Sequence, residues 1–192
     1  MTAHNILQEA QALLQGHFLF TSGRHGAEYM QCARVLQYPQ YTEILAKIIA
    51  QGFGNEKVEM VIAPAIGGIV IGYELARQLN SVSVFAEREN GIMTLRRGFH
   101  IPQGTKVVVA EDVITTGKSS LEVMNIVREM GAEVLGVGVI VDRTGGKIDL
   151  GTKVVSAYSA EMQSYTAEEC PLCKEGLPIF KPGSRDIKDF AK

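Results

Sequence analysis

The sequence predicts an α/β fold: a doubly wound, mainly parallel sheet of about five strands with helices on both faces. From about residue 58 onward, short runs rich in valine and isoleucine alternate with longer segments in which apolar residues recur at helical spacing. The valine-rich runs lack apolar/polar alternation, which is typical of parallel strands buried on both faces. Polar loops follow three of these runs, at the edge of the sheet where such folds bind ligands.

The predicted elements follow one another regularly along this core. Strands are expected from 57 to near Ala63 and at 81–87, 106–112, 133–142 and 152–158, and helices at 67–80 and 118–131. Outside this core, 5–15 and 40–53 have helical patterns, and the residues after about 155 break the alternation. We expect a single domain over 1–192, with a core at about 58–155. A small hood from about 1–57 and 156–192 would cover the sheet edge that carries the loops.

Composition and charge restrict the class of protein. The chain has 192 residues, of which 46% are apolar and 21% charged, and its formal charge is −2. This is ordinary globular composition, and the absence of a basic excess argues against a general nucleic-acid or membrane-surface binder. No apolar run approaches the roughly 18 residues that span a bilayer, and the N-terminus lacks the pattern of a signal peptide. The sequence therefore indicates a cytoplasmic protein.

The three cysteines do not form a disulfide framework in a chain of this length. Cys170 and Cys173 have CxxC spacing, which suits zinc or redox chemistry. A zinc site would need two more ligands, and because no histidine follows His100 the sequence shows no second half-site. A redox CxxC is expected near an early βαβ unit, whereas this pair lies in the C-terminal tail. We therefore interpret these cysteines as buried or structural thiols.

The stretch VVVAEDVITTGKSS, residues 107–120, carries the strongest chemical signal. Its GKS triplet resembles the end of a nucleotide P-loop, but that motif requires glycine where Asp112 stands, and an acid there would repel a triphosphate. Backbone N–H groups at a helix N-terminus still suit one phosphate monoester, and carboxylates suit sugar hydroxyls. The stretch therefore predicts a ribose 5-phosphate site. The alternative is that Glu111 and Asp112 only cap a turn.

The same stretch resembles the signature of the type I phosphoribosyltransferases: four apolar residues, two acids and a Thr/Gly-rich phosphate loop. Three further stretches resemble the orotate phosphoribosyltransferase branch, namely GHFLFTSGRHGAEYMQC, APAIGGIVIGYELA and VIVDRTGG. The resemblance covers nearly the whole chain. It implies transfer of the 5-phosphoribosyl group from 5-phosphoribosyl 1-diphosphate (PRPP) to orotate, giving orotidine 5-monophosphate and diphosphate in de novo UMP (pyrimidine) biosynthesis.

The resemblance also implies roles for individual residues. Arg143 would pair with the orotate carboxylate, for which a guanidinium fork is a natural partner, and Tyr29 would stack on the pyrimidine. Thr115 would lie near both orotate and phosphate. PRPP would be bound by Glu111, Asp112, Val113, Ile114, Thr115, Thr116, Gly117, Lys118 and Ser119, with the two acids on the ribose hydroxyls and Asp112 counted as catalytic. The diphosphate loop would comprise Ala65, Ile66, Gly67 and Gly68, with Gly67 where many relatives carry lysine.

Residues 86–100 correspond to a mobile catalytic loop that closes over PRPP in the family, usually from the other subunit of a homodimer. Here about 88–100 would be shared across subunits, and Arg88 is the expected catalytic and PRPP-binding residue. Arg96, Arg97 and His100 follow it. The alternative is a solvated charged hairpin. Mg²⁺ is the expected cofactor, held mainly through PRPP, with the two acids of the signature as candidate ligands.

Two other functions remain open at this point. A phosphoribosyltransferase for a purine base would share the PRPP site, but a purine has no carboxylate to pair with Arg143. This argument against a purine base does not hold if Arg143 is instead a surface residue that bridges to Asp142 or Asp149. A non-catalytic, PRPP-sensing regulator is the second alternative. If it bound nucleic acid it should show a basic patch, which a net charge of −2 does not favour.

Overall fold

The computed structural model describes residues 1–20 and 22–182, so the end of the expected hood, from 183 onward, lies outside the described residues. Fourteen helices and strands occur within these ranges. In chain order they are α1 (Ala3–Glu9), β1 (Leu13–Leu19), β2 (His25–Met30), α2 (Ala33–Leu36), α3 (Pro39–Phe53), β3 (Met60–Pro64), α4 (Gly67–Leu79), β4 (Val82–Glu89), β5 (Ile92–Leu95), β6 (Lys106–Ile114), α5 (Lys118–Glu129), β7 (Glu133–Asp142), β8 (Val154–Ser159) and α6 (Pro171–Lys174).

The central sheet has the strand order β5-β4-β3-β6-β7-β8. The five strands from β3, β4, β6, β7 and β8 are parallel, which confirms the predicted doubly wound arrangement. A sixth strand, β5, was not predicted and pairs antiparallel with β4 at one edge. It forms because Asn90 and Gly91, both with positive φ (51° and 83°), turn the chain back within two residues.

Two apolar clusters cover the two faces of this sheet. In β3, Val61 and Ala63 face the cluster built with α3 and α4, whereas Met60 and Ile62 face the cluster built with α5. The continuous valine-rich strands therefore still have a period of two, with both sides buried. This burial fixes the register of β6, so the position at which its two carboxylates emerge is fixed as well.

The N-terminal segment differs from the prediction. The expected helix over 5–15 ends at Glu9, and the chain turns at Gln11, which has a φ of 51°. Residues from Leu13 onward then form β1, which pairs antiparallel with β2. The local pattern of 5–15 favours a helix, but the hydrogen bonds and burial gained by pairing with β2 outweigh that preference.

This β1–β2 hairpin is joined to the C-terminal segment by backbone hydrogen bonds. His25 and Tyr165 exchange two of them, at 2.9 and 2.8 Å. Phe180 donates its N–H to the carbonyl of His17, and Leu19 donates to the carbonyl of Phe180, both at 2.8 Å. The hairpin thus lies between two parts of the C-terminal chain. No helix in the described part of the chain is long and apolar enough to cross a membrane.

Candidate functional site

Two adjacent carboxyl groups lie at the end of β6. The Glu111 side chain is 8% exposed, and its Oε1 accepts the backbone N–H of Asp112 at 3.2 Å. The Asp112 Oδ1 accepts the N–H of Val113 at 2.8 Å. Burial, followed by the proximity of Asp112, raises the pKa of Glu111 well above the usual range of a carboxyl. Glu111 therefore takes up a proton more readily than an exposed carboxyl, and in that form it can donate a hydrogen bond to a sugar oxygen.

A small cavity of about 70 Å³ lies just beyond these acids. It is lined by Glu111, Val113, Ile114, Thr115, Thr116, Gly117, Lys118, Ser119 and Ser120. Gly117 has a φ of 73° immediately before α5, and a Cβ there would lie 2.5 Å from the Leu150 side chain, so only glycine fits. The first turn of α5 has N–H groups without intrahelical acceptors, which suits a phosphate group. We name this cavity the phosphate cradle.

Ser120 belongs to the cradle, although its role was not predicted from the sequence. Its side chain is 1% exposed, and its Oγ is the only buried side-chain nitrogen or oxygen in residues 1–20 and 22–182 without a hydrogen-bond partner. A buried hydroxyl without a partner is costly unless a ligand or water completes it. The sequence shows Ser120 as the second serine of the KSS triplet. It does not show that this serine is buried on α5, which is what identifies it as part of the cradle.

A larger groove of about 390 Å³ adjoins the cradle. It is lined by Leu19, Phe20, Ser22, Arg24, Tyr29, Thr115, Thr116, Arg143, Thr144, Met162, Ser164 and Pro182. Thr115 and Thr116 line both cavities, so a ligand can extend from one into the other. We name this cavity the base groove. An open concavity of about 670 Å³ beside His17 is larger but contains no residue of the cradle.

Arg143 enters the base groove from the end of β7. Its guanidinium lies over the Phe20 ring, 4.6 Å from the centroid, and its Nε donates to the Met162 sulfur at 3.1 Å. Among the described residues it forms no ion pair, and burial lowers its pKa below the ordinary arginine value. The alternative of a bridge to Asp142 is wrong, because Asp142 accepts hydrogen bonds from residues 144, 146 and 159 instead. Asp149 accepts a backbone N–H from residue 151.

Tyr29 and Arg24 also face the base groove. Burial raises the pKa of Tyr29, with Asp112 adding to the shift and Arg143 opposing it. The Tyr29 ring is 5.6 Å from the Phe18 ring. Arg24 is held by Ser164: its Nε donates to the Ser164 Oγ at 2.8 Å, and its Nη2 donates to the Ser164 carbonyl at 2.5 Å. The hairpin therefore forms one wall of the groove.

The predicted diphosphate loop lies next to the acids. It connects β3 to α4, and its Ala65–Ile66 peptide bond is cis. A Cβ on Gly67 would lie 2.6 Å from Oδ2 of Asp112. This contact accounts for glycine at this position in the present chain, because a side chain would displace the Asp112 carboxylate. The N-terminus of α4 therefore lies next to Asp112.

The structure does not bring Arg88 into this site. Arg88 lies on β4 and donates to Glu122 at 2.5 Å and to the carbonyl of Gly91 at 2.9 Å. Arg96 and Arg97 pair with the glutamates of the same hairpin. In this conformation the segment is a charged β-hairpin, and none of its arginines lines the cradle or the base groove.

Comparison with known proteins identifies the class of protein that this fold and site define. The profile of the phosphoribosyl transferase domain family matches residues 33–165, which include the acids, the cradle and Arg143. This range is more than half of the chain. The chain therefore belongs to the phosphoribosyltransferase family, which confirms the resemblance noted from the signature stretch.

The most similar relatives narrow this assignment. A curated orotate phosphoribosyltransferase from Caldicellulosiruptor bescii is 54% identical over 180 residues, covering 94% of this chain and 95% of the relative. Another, from Pelotomaculum thermopropionicum, is 53% identical and covers 95% and 96%. The solved orotate phosphoribosyltransferase from Aeropyrum pernix superposes with a TM-score of 0.70 at 27% identity, covering 84% and 94%. Within the family, the chain belongs with the orotate phosphoribosyltransferases.

Proposed function

We propose that the protein transfers the 5-phosphoribosyl group of PRPP to orotate, producing orotidine 5-monophosphate and diphosphate. The base groove carries this assignment: an arginine without a carboxylate partner faces a groove that adjoins a phosphate cradle. A planar, carboxylated base fits a cavity that offers a guanidinium at one side and aromatic rings at another. A purine phosphoribosyltransferase would leave Arg143 without an anionic partner.

Each part of PRPP has a complementary surface in this arrangement. The cradle would bind the 5-phosphate through backbone N–H groups and the hydroxyls of Thr115, Thr116 and Ser120. Glu111 and Asp112 would hold the ribose hydroxyls, one as a donor and one as an acceptor. The diphosphate loop at Gly67 would receive the leaving group at the N-terminus of α4. These contacts would place C1 of the ribose at the opening of the base groove.

The reaction needs little base catalysis from the protein. N1 of orotate forms a bond to C1 of the ribose and releases its proton to the solvent, the bond from C1 to the diphosphate oxygen breaks, and diphosphate leaves with that electron pair. The transition state resembles an oxocarbenium ion, so positive charge develops on the ribose. The adjacent Asp112 carboxylate would stabilise this charge, while backbone N–H groups stabilise the departing diphosphate.

Mg²⁺ is the proposed cofactor, and the donor set fits it. Carboxylate oxygens are the ligands that this ion prefers, and Oδ2 of Asp112 lies next to Gly67 in the diphosphate loop. Bound together with PRPP, Mg²⁺ would neutralise diphosphate charge. Asp112 would then hold both the ribose diol and the hydrated ion, with Glu111 supporting its orientation through the backbone of residue 112.

We also propose that the enzyme works as a homodimer in the cytoplasm. Ile66, Val70 and Tyr73 are 85%, 47% and 68% exposed and form an apolar stripe on α4, next to the diphosphate loop. A second copy of the chain would cover this stripe and could bring its Arg88-bearing hairpin to the diphosphate. Arg88 would then have to leave Glu122, an exposed pair that costs little to separate.

The decisive experiment follows the ultraviolet absorbance of orotate in the presence of protein, PRPP and Mg²⁺. A PRPP-dependent loss of absorbance that requires Mg²⁺ supports the proposal. Turnover of hypoxanthine or adenine without turnover of orotate would assign a purine enzyme. Tight PRPP binding without turnover of any base would indicate a regulator.

The variant Arg143→Lys tests the role of the guanidinium. Lysine keeps the positive charge but lacks the two-pronged donor geometry of arginine, so the KM for orotate should rise about 10-fold or more.

A further inference from the structure

Four metal-binding side chains meet where the β1–β2 hairpin contacts the C-terminal segment. They are His17, His25, Cys170 and Cys173, and their ligand atoms all lie within 4.8 Å of one another. His17 and Cys170 are 3% and 0% exposed, and both cysteines are free thiols. None of these side chains lines the cradle or the base groove. The proposed transferase reaction therefore leaves the cluster unexplained.

The spacing of the ligand atoms matches a tetrahedral centre. Nε2 of His17 lies 3.1 Å from Nδ1 of His25, 3.5 Å from Sγ of Cys170 and 3.6 Å from Sγ of Cys173. The Cys173 sulfur is 3.2 Å from Nδ1 of His25. Around zinc, with bonds of about 2.0–2.1 Å to nitrogen and about 2.3 Å to sulfur, neighbouring ligand atoms are separated by about 3.3–3.8 Å. The observed distances agree with this range to within a few tenths of an ångström.

The hydrogen bonds around the cluster orient the ligands for a metal. Nδ1 of His17 lies 2.9 Å from the carbonyl of Leu177. A carbonyl only accepts, so Nδ1 carries the proton and Nε2 presents its lone pair to the other three ligands. Backbone carbonyls commonly fix zinc-binding histidines in this way. The backbone of His25 is held by its paired hydrogen bonds to Tyr165.

We propose that His17, His25, Cys170 and Cys173 bind one Zn²⁺ ion that fastens the N-terminal hairpin to the C-terminal segment. Two thiolates and two neutral imidazoles form a Cys₂His₂ set, which is typical of structural zinc. All four positions are filled by protein, so the ion has no site for a substrate and takes no part in the transferase chemistry. The CxxC supplies one half of the site, and two histidines eight residues apart supply the other.

The location of the ion gives it a consequence for the base groove. The hairpin residues between the two histidines include Phe20 and Arg24, which line the groove, and Ser164, which holds Arg24, precedes the CxxC by six residues. Zinc would therefore position one wall of the groove. This consequence rests on the proposed function: loss of zinc should raise the KM for orotate several-fold and leave the KM for PRPP nearly unchanged.

The test measures metal content and does not depend on activity. Full-length protein, dialysed against a weak chelator, is analysed by elemental mass spectrometry. About one zinc per chain is expected in the wild type, and its loss in Cys173→Ser and His25→Gln. Cys32→Ser and His4→Gln remove a thiol and an imidazole outside the cluster and should keep the zinc. Protein with no zinc, with a Cys170–Cys173 disulfide or with zinc retained in Cys173→Ser would overturn the proposal.

A second measurement covers the case in which the cluster variants fail to fold. Wild-type protein is stripped with a strong chelator and titrated with Co²⁺, which reports its geometry by visible absorbance. Tetrahedral Co²⁺ bands with thiolate charge transfer, saturating at one equivalent and displaced by Zn²⁺, support the site. Octahedral, weakly absorbing Co²⁺ would contradict it. A protein that turns over orotate but binds neither Zn²⁺ nor tetrahedral Co²⁺ at this cluster would refute the zinc site and leave the proposed function intact.

Discussion

Glu111 is a carboxyl whose pKa the fold raises, because it is buried next to a second carboxyl at the end of β6. Its pKa in the folded protein is raised above the value of about 4.3 in an unfolded chain. Folding therefore takes up a proton at intermediate pH. The stabilisation from this proton uptake is fully present below the pKa of Glu111 in the unfolded chain. It is lost as the pH rises through the pKa of Glu111 in the folded protein.

The variant Glu111→Gln tests this difference in proton binding, since glutamine keeps the shape but does not titrate. From about pH 5 upward, the free energy of unfolding of the wild type should fall relative to the variant by up to about 1.4 kcal/mol per pH unit, until Glu111 ionises in the folded state. Urea unfolding of both proteins at a series of pH values measures this fall in the free energy of unfolding. A difference between the two proteins that does not change with pH would show that Glu111 is ionised throughout.

At the scale of elements, the start of α4 is packed against the end of β6. Gly67 lies so close to Asp112 that a methyl group there must displace the carboxylate. We expect Gly67→Ala to lower kcat/KM for PRPP by about 10- to 100-fold, the equivalent of one or two charged hydrogen bonds. The thermal midpoint should change little, because the displaced group is polar and at the site. A fully active variant would show that Asp112 does not need this position.

The matched control for this variant is Gly104→Ala, in the turn before β6. An added Cβ at Gly104 meets nothing within 4 Å, but the residue has a positive φ. The control should therefore lose about 1 kcal/mol of stability through backbone strain while retaining its affinity for PRPP. A loss of activity without a loss of stability in Gly67→Ala, and the reverse in the control, would separate an effect on the site from an effect on folding.

The elements differ in how far the sequence alone predicts them. The parallel strands and the helices α4 and α5 were predicted closely, because their burial pattern is contiguous in the chain and glycine or asparagine marks the helix ends. The strand β1 was missed because its partner, β2, decides the structure of a segment with helical spacing. The edge strand β5 has only four residues, too few for a period to appear.

The same reasoning applies to the functional residues. The acids and the cradle lie in one stretch of 14 residues, so their chemistry was readable without the fold. The Cys₂His₂ cluster was not, because its two halves lie about 150 residues apart and only hairpin pairing brings them together. The sequence also could not predict that Ser120 Oγ lacks a hydrogen-bond partner, because this depends on the burial of its side chain.

On the scale of the whole molecule, the apolar stripe on α4 is the feature that predicts assembly. Val70→Glu places a charge within it and should convert a dimer to a monomer, measured by light scattering after size exclusion. Activity should fall if the partner supplies Arg88. Val82→Glu is the control, since Val82 is 57% exposed but lies at the start of β4. A wild type that is monomeric at micromolar concentration would contradict the proposed dimer.

The pairing of the hairpin with the C-terminal segment also affects how the chain folds. His17 and Phe180 are joined by a backbone hydrogen bond although the residues between them form the entire central sheet. Contacts this distant in sequence are slow to form. During synthesis, the hairpin cannot pair with the C-terminal segment until the last part of the chain has been made. The phosphate cradle can thus form before the wall of the base groove, which is complete only after the C-terminal segment has been made. A newly made chain would pass through a stage able to bind PRPP before it can bind its second substrate.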